Sequence, residues 1–366
     1  MDSDVEGDLP RFAFSGRGAV RRVDRSSQEA AMYEVLRQIK AGVGGGIIKL
    51  GERHVCRFCG NTDPRRFRQR AHTFPEALGN HWVISRDECD DCNAKFSKYE
   101  DALVKAVGII LTVGGEKGKG HSSRRQTGRT GSASTVRHLR DADGNRRIST
   151  RLRGDGSSVR LAWQRDVLTI RHSVAPEKFV PRYAYKALTK MAYALLPDEE
   201  LANYGQTRTW LLDVNDSEDF PVLEVALSFT LLGNAPPLAV GTLLRRSDPL
   251  APIPHILFLL SIGSLCFQID LRSDHLEDHL PPIPIGQTVE GWRIGCATNS
   301  GPQPEPYVLT YSKPSILNWS SKTLRLQPVE ELLFHKSMRT TAAEFKLVMR
   351  DEPWLEDSGD DADVPG

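Results

Sequence analysis

The second half of the chain is written in short runs of apolar and polar residues that suit strands. Residues 159–163 and 167–172 alternate with a period of two on either side of Arg165-Asp166, which predicts a pair of strands. β-like runs follow at 209–214, 222–232, 238–244, 256–271, 291–297 and 307–311, most of them separated by proline, glycine or aspartate. Helical spacing occurs three times. Ala31, Val35, Leu36 and Ile39 share one face of residues 28–40, with Ser26 and Glu29 as a capping box and Ala41-Gly42 as the stop. Tyr185, Leu188, Ala192 and Leu195 mark a helix over 183–196, closed by Pro197, and residues 329–336 read as a shorter one. On that helix Lys186 and Lys190, with Arg182 nearby, read as a solvated face or an anion contact. Cys266 and Cys296 read as core residues of strands.

The pattern predicts an α+β chain: a small N-terminal module rich in cysteine and histidine, then a larger mixed, mainly antiparallel β domain with packed helices. The expected division is an irregular segment and helix over 1–49, the module over 50–112, a basic flexible linker over 113–144, the α+β domain over 145–350 and an acidic tail over 351–366. With 366 residues, of which 39% are hydrophobic, the chain can build more than one core.

A formal charge of +1 becomes informative only when it is resolved along the chain. Arg53, Arg57, Arg65, Arg66, Arg68 and Arg70 crowd one stretch, and Lys117, Lys119, Arg124, Arg125, Arg129, Arg137 and Arg140 another. Acid gathers in residues 1–8 and 356–363. This split suits a protein that meets a polyanion with its first half, although solvated loops would look the same. No basic segment precedes an apolar run at the start. The longest apolar stretch, 256–267, is broken by Ser261, Gly263 and Ser264 and is shorter than the roughly 20 residues a membrane helix needs. The expectation is an intracellular, cytoplasmic protein with no membrane partner, whose six cysteines are metal ligands or buried thiols.

Four of them have ligand spacing. Cys56-x-x-Cys59 and Cys89-x-x-Cys92 form two knuckles that can close a tetrahedral thiolate shell around Zn²⁺. A closed shell has no position for substrate, so this ion would be structural. Between the knuckles lies AHTFPEALGN (71–80), and the second knuckle runs into ECDDCNAKFSKYE (88–100). Over about residues 54–102 this order resembles the HNH endonuclease family, in the zinc-bearing variant whose third signature residue is Asn.

The resemblance implies a ββα-metal, treble-clef-like fold, with His72 on the first strand and Asn93 at the start of the helix. It implies that neutral His72 takes a proton from water, and that Asn93, phosphate oxygens and water hold a catalytic Mg²⁺ or Mn²⁺. Asn is also a preferred N-cap, and the two roles can coexist. Ala71 stands where many members carry a ligand, so Glu76, His81 and Glu100 are the nearby groups that could complete the cation. Asn80, with His81 beside it, either orients the base as the family's middle Asn or simply shapes a Leu-Gly-Asn turn. Arg65, Arg66, Arg68 and Arg70 could bind flanking phosphates.

The function expected is phosphodiester hydrolysis in nucleic acid, DNA favoured, with the C-terminal domain gating cleavage through a ligand or partner and with an oligomer as an option. The layout is similar to bacterial restriction and phage-defence effectors. The alternative is a zinc-stapled nucleic-acid-binding protein without cleavage. His275 and His279, spaced four apart beside Asp274, Glu277 and Asp278, read as a polar surface loop or a second metal site.

Overall fold

A computed structural model describes residues 33–42, 45–115, 125–127, 134–140, 146–152, 159–173, 177–215, 223–229, 238–271, 273, 276–277, 295–296, 307–308, 315–326, 329–337, 339 and 343–349. Strand β1 (Tyr33–Gly42) is followed by β2 (Ile48–Leu50), β3 (Ala71–His72), β4 (Val83–Ser85) and the long helix α1 (Asp90–Gly114). Next come β5 (Arg125–Thr127), β6 (Ser134–Arg140), β7 (Arg146–Leu152), β8 (Val159–Gln164), β9 (Val167–Ser173) and β10 (Lys178–Phe179). Helices α2 (Pro181–Leu195) and α3 (Gly205–Leu212) precede β11 (Glu224–Phe229), β12 (Leu238–Arg246), β13 (Ile256–Ile262) and β14 (Leu265–Leu271). The last strands are β15 (Gly295–Cys296), β16 (Tyr307–Val308), β17 (Ser315–Asn318), β18 (Arg325–Leu326), β19 (Val329–Ser337) and β20 (Ala343–Met349).

The fold is α+β, as the patterning predicts, and among the described residues every strand pairing is antiparallel except β2 with β4. The largest sheet has the order β1-β12-β13-β14-β11-β17, a second runs β20-β19-β9-β8, and β5-β6-β7 form a third. The apolar run 256–271 folds as a hairpin, turning at Gly263, whose φ of +53° suits glycine. The paired strands at 159–164 and 167–173 are present, and α2 starts at Pro181, where the missing N–H is harmless.

Several elements differ from expectation for a common reason. Residues 33–42 form a strand, not the expected helix, because nine of them pair with β12 some 200 residues later. A bulge between Val35 and Arg37 breaks the alternation, which is why the spacing imitates a helix. Residues 329–337 form the inner strand β19, bonded to both β9 and β20, despite their helix-like composition. Conversely, 205–212 is helical where 209–214 read as a strand. The expected basic linker supplies β5 and β6 and the end of α1. Residues 116–124 and 128–133, His275 and His279, and the side chain of Cys296 lie outside the described residues. Among the described residues no helix is long and apolar enough to cross a membrane.

One apolar cluster runs through both halves. Phe58 and Phe96 meet edge to face at 4.7 Å, Phe58 lies 5.5 Å from Tyr193 of α2, and Tyr99 lies 5.2 Å from Tyr183. Aromatic pairs of this kind each add about 0.5–1.5 kcal/mol beyond the area they bury. Helix α1 begins at Cys89, carries Asp90 and Asp91 in its first turn, where the helix dipole favours acid, and stops at Gly115 with φ +78°. The C-terminal end of α3 is gripped by cations: Lys95 donates to Leu212 O at 3.0 Å, and Lys186 to Trp210 O and Asp213 O at 2.9 and 2.8 Å. Lys186 and Lys190, expected on a solvated face, are fully buried, because α2 is packed on all sides.

Candidate active site and metal centre

The two knuckles converge. The sulfur atoms of Cys56, Cys59, Cys89 and Cys92 all lie within 4.8 Å of one another, with Cys56–Cys92 at 3.8 Å and Cys59–Cys89 at 3.6 Å. Zn–S bonds of about 2.3 Å set the edge of a regular tetrahedron at about 3.8 Å, so the donor set and its size fit zinc. The hydrogen bond between Cys56 and Cys92 lowers the pKa of Cys56 and raises that of Cys92, and burial raises that of Cys89, so a bound cation would oppose the shifts at Cys89 and Cys92. Cys56 also accepts the backbone N–H of Cys89 at 3.5 Å.

The zinc module is anchored to the rest of the chain. Arg57, inside the first knuckle, donates to Asp87 at 2.7 Å, Asp198 at 2.9 Å and the carbonyl of Leu196 at 3.0 Å, and Arg37 of β1 donates to the carbonyl of Leu195. These carbonyls close the C-terminal end of α2, where cations are favoured.

His72 sits on β3, opposite Ile84 of β4, and is half-buried. Among the described residues its imidazole makes no hydrogen bond. Burial holds its pKa below the ordinary histidine value; the Glu76 carboxylate opposes this, and Arg70, Lys190 and His81 reinforce it. His72 is therefore neutral near pH 7, the form that can accept a proton. Glu76 and His81, on the loop between β3 and β4, approach each other at 3.8 Å. Asn80, fully buried, uses its amide entirely on backbone: Nδ2 donates to Phe74 O and Val83 O, and Oδ1 accepts from Trp82 and Val83. It fixes the loop that carries Glu76 and His81.

Asn93 lies in the first turn of α1, whose N-cap is Cys89. Its Nδ2 donates to Gln69 Oε1 at 3.1 Å, and its Oδ1 accepts no hydrogen bond among the described residues. The backbone of Arg68 and Gln69 donates to Asp90, so the approach to β3 is fastened to the start of α1 at three points. Glu100 faces a different partner: its Oε1 accepts from Lys190 of α2 at 3.1 Å. Lys190 also donates to the backbone carbonyl of His72 at 2.9 Å and lies 3.0 Å from Glu88 Oε2. Glu88 has no exposed side-chain surface, and burial raises its pKa to about 7 against the pull of Lys190. Of the four arginines at 65–70, Arg65 pairs with Asp63 and Arg66 with Asp91, while Arg68 and Arg70 are exposed and make no ion pair among the described residues.

The patterning offered Lys190 as a solvated face or an anion contact and missed Glu88; the anions that Lys190 meets are the carboxylates of Glu88 and Glu100.

Two short strands and a helix, with a four-sulfur site that fits zinc, have the make-up of a ββα metal-finger module. Residues 56–107 match the HNH endonuclease family, and the cysteine cluster fits its zinc-bearing variant. The match supports a nuclease-type function. No curated protein and no solved structure gives a significant match.

Proposed function

We propose that this protein is a metal-dependent endonuclease that hydrolyses phosphodiester bonds in nucleic acid, DNA favoured, with His72 as the general base. The observation that carries the reading is a half-buried imidazole, its pKa lowered by that burial, free of hydrogen bonds among the described residues, and set on β3 of a family-matched module. His72 accepts the proton of the attacking water. Asn93 offers its unengaged Oδ1, and Glu76 a carboxylate near His72, as ligands for Mg²⁺ or Mn²⁺. A divalent ion bound there supplies charge to the phosphate oxygens and the departing 3′-oxygen. Arg68 and Arg70 hold flanking phosphates through salt-sensitive contacts. The C-terminal half, joined to the module through α2, gates cleavage.

The test is plasmid DNA and a structured RNA incubated with Mg²⁺ or Mn²⁺, for the native chain and for His72→Ala. The proposal expects cleavage that needs the divalent ion and falls at least a hundredfold in the variant, the scale of a lost general base (about 10²–10⁴). Equal cleavage by both proteins overturns it. The second reading, nucleic-acid binding without cleavage, draws on Ala71, which is buried and carries no ligand atom where many members of the family have one. Retention of plasmid with no cutting in any metal selects it.

A further inference from the structure

We propose that Lys190 of α2 is a positioning residue for the nuclease reaction, holding the backbone of His72 in register with α1. The inference rests on the assignment of His72 as base and identifies a side chain, outside the family-matched segment, that keeps this base in place. Strand β3 is only two residues long and is paired on one side, so its ladder fixes the backbone at His72 weakly. Lys190 Nζ supplies what the ladder lacks: it donates to the His72 carbonyl at 2.9 Å and to Glu100 of α1 at 3.1 Å, and lies 3.0 Å from Glu88, which directly precedes a zinc ligand. One buried ammonium thus touches the strand of the base, the helix that carries Asn93, and the start of the second knuckle. Its position is itself fixed, since α2 is buried along its length and Arg57 and Arg37 bind the carbonyls at its end. The direction of an imidazole follows its backbone, and a displacement near 1 Å at a reacting group can cost about a hundredfold in rate.

The experiment uses the full chain, Mg²⁺ and plasmid DNA, with rates normalised to folded, zinc-loaded protein. Lys190→Met/Glu88→Gln removes the ammonium together with the carboxylate it would strand. Lys190→Gln/Glu88→Gln does the same with a side chain one bond too short to reach the His72 carbonyl. Lys186→Met removes the neighbouring buried lysine of α2, which donates to the end of α3 and lies over the rings of Tyr99 and Trp210. The expected result is a kcat at least tenfold lower in the Lys190 variants, with KM within about twofold of the native value and zinc retained, and a native kcat for Lys186→Met. A native kcat in either Lys190 variant overturns the proposal, as does an equal loss in Lys186→Met, which would mark a general weakening of α2. Failure of the endonuclease reading is separately visible: the native chain then does not cut, or His72→Ala cuts equally well.

Discussion

Replacing Lys190 by methionine should destabilise the protein far more than an ordinary lysine truncation, and the structure gives the scale. Two carboxylate oxygens lie 3.0 and 3.1 Å from Nζ, each a gross attraction of about 5.5 kcal/mol at an effective dielectric constant near 20. Most of that offsets the several kcal/mol needed to take each ion out of water, so the intact cluster contributes little net stability. Removing the cation alone is different. Glu88 then remains with no exposed surface and no counter-charge, and the His72 carbonyl loses its donor. One-sided breakage of a buried pair costs about 3–5 kcal/mol. At pH 7 Glu88 limits the damage by taking up a proton, since burial already raises its pKa to about 7, and the full loss shows above that pH. The expected destabilisation is thus about 3–5 kcal/mol at pH 8 to 9 and smaller at pH 7, and adding Glu88→Gln should recover about 2 of it. Urea unfolding in excess zinc, followed by the fluorescence of Trp210 and Trp319, both buried, measures the four corners of the double-mutant cycle. A single-variant loss below about 1 kcal/mol, or strictly additive effects, would refute the reasoning.

Burial lowers the pKa of His72, so its base form persists to lower pH; kcat/KM should be flat near neutrality and fall only below an acid limb centred under 6.5, whereas a limb above 7 contradicts the assignment. Strong chelation should remove one zinc per chain and abolish cleavage, with Mg²⁺ alone failing to restore it; Cys92→Ser should lose the zinc outright, and metal analysis of either preparation checks this. At Gly241 a Cβ would lie 2.5 Å from Cζ of the fully buried Phe74 ring, so Gly241→Ala should cost about 1–3 kcal/mol by overpacking; unchanged urea unfolding would refute that.

Local chemistry was legible and distant pairing was not. The cysteines announce themselves because two-residue spacing is a property of four consecutive positions. The strand character of 256–271 and helix α2 are equally plain, since one is an apolar run and the other has helical spacing closed by Pro197; that the run turns back at Gly263 was not read. Strand β1 and strand β19 were misread because what makes them strands is a partner far along the sequence, and local composition carries no trace of it. The same limit hides the site's support. Glu88 and Lys190 stand 102 positions apart, and only folding shows that each is the other's counter-charge.

The pairing of β1 with β12 has a consequence for synthesis. A ribosome delivers the zinc knuckles and His72 roughly a hundred residues or more before Lys190, and β1 has no neighbour in its sheet until β12, residues 238–246, has emerged. At about 5–20 residues per second, the wait for Lys190 lasts on the order of ten seconds. During it the nascent chain carries a metal finger whose histidine strand is not yet anchored. On the function proposed above, the contact that holds the His72 backbone forms only after Lys190 has emerged, so competence to cut is expected to follow the folding of α2 and not the binding of zinc.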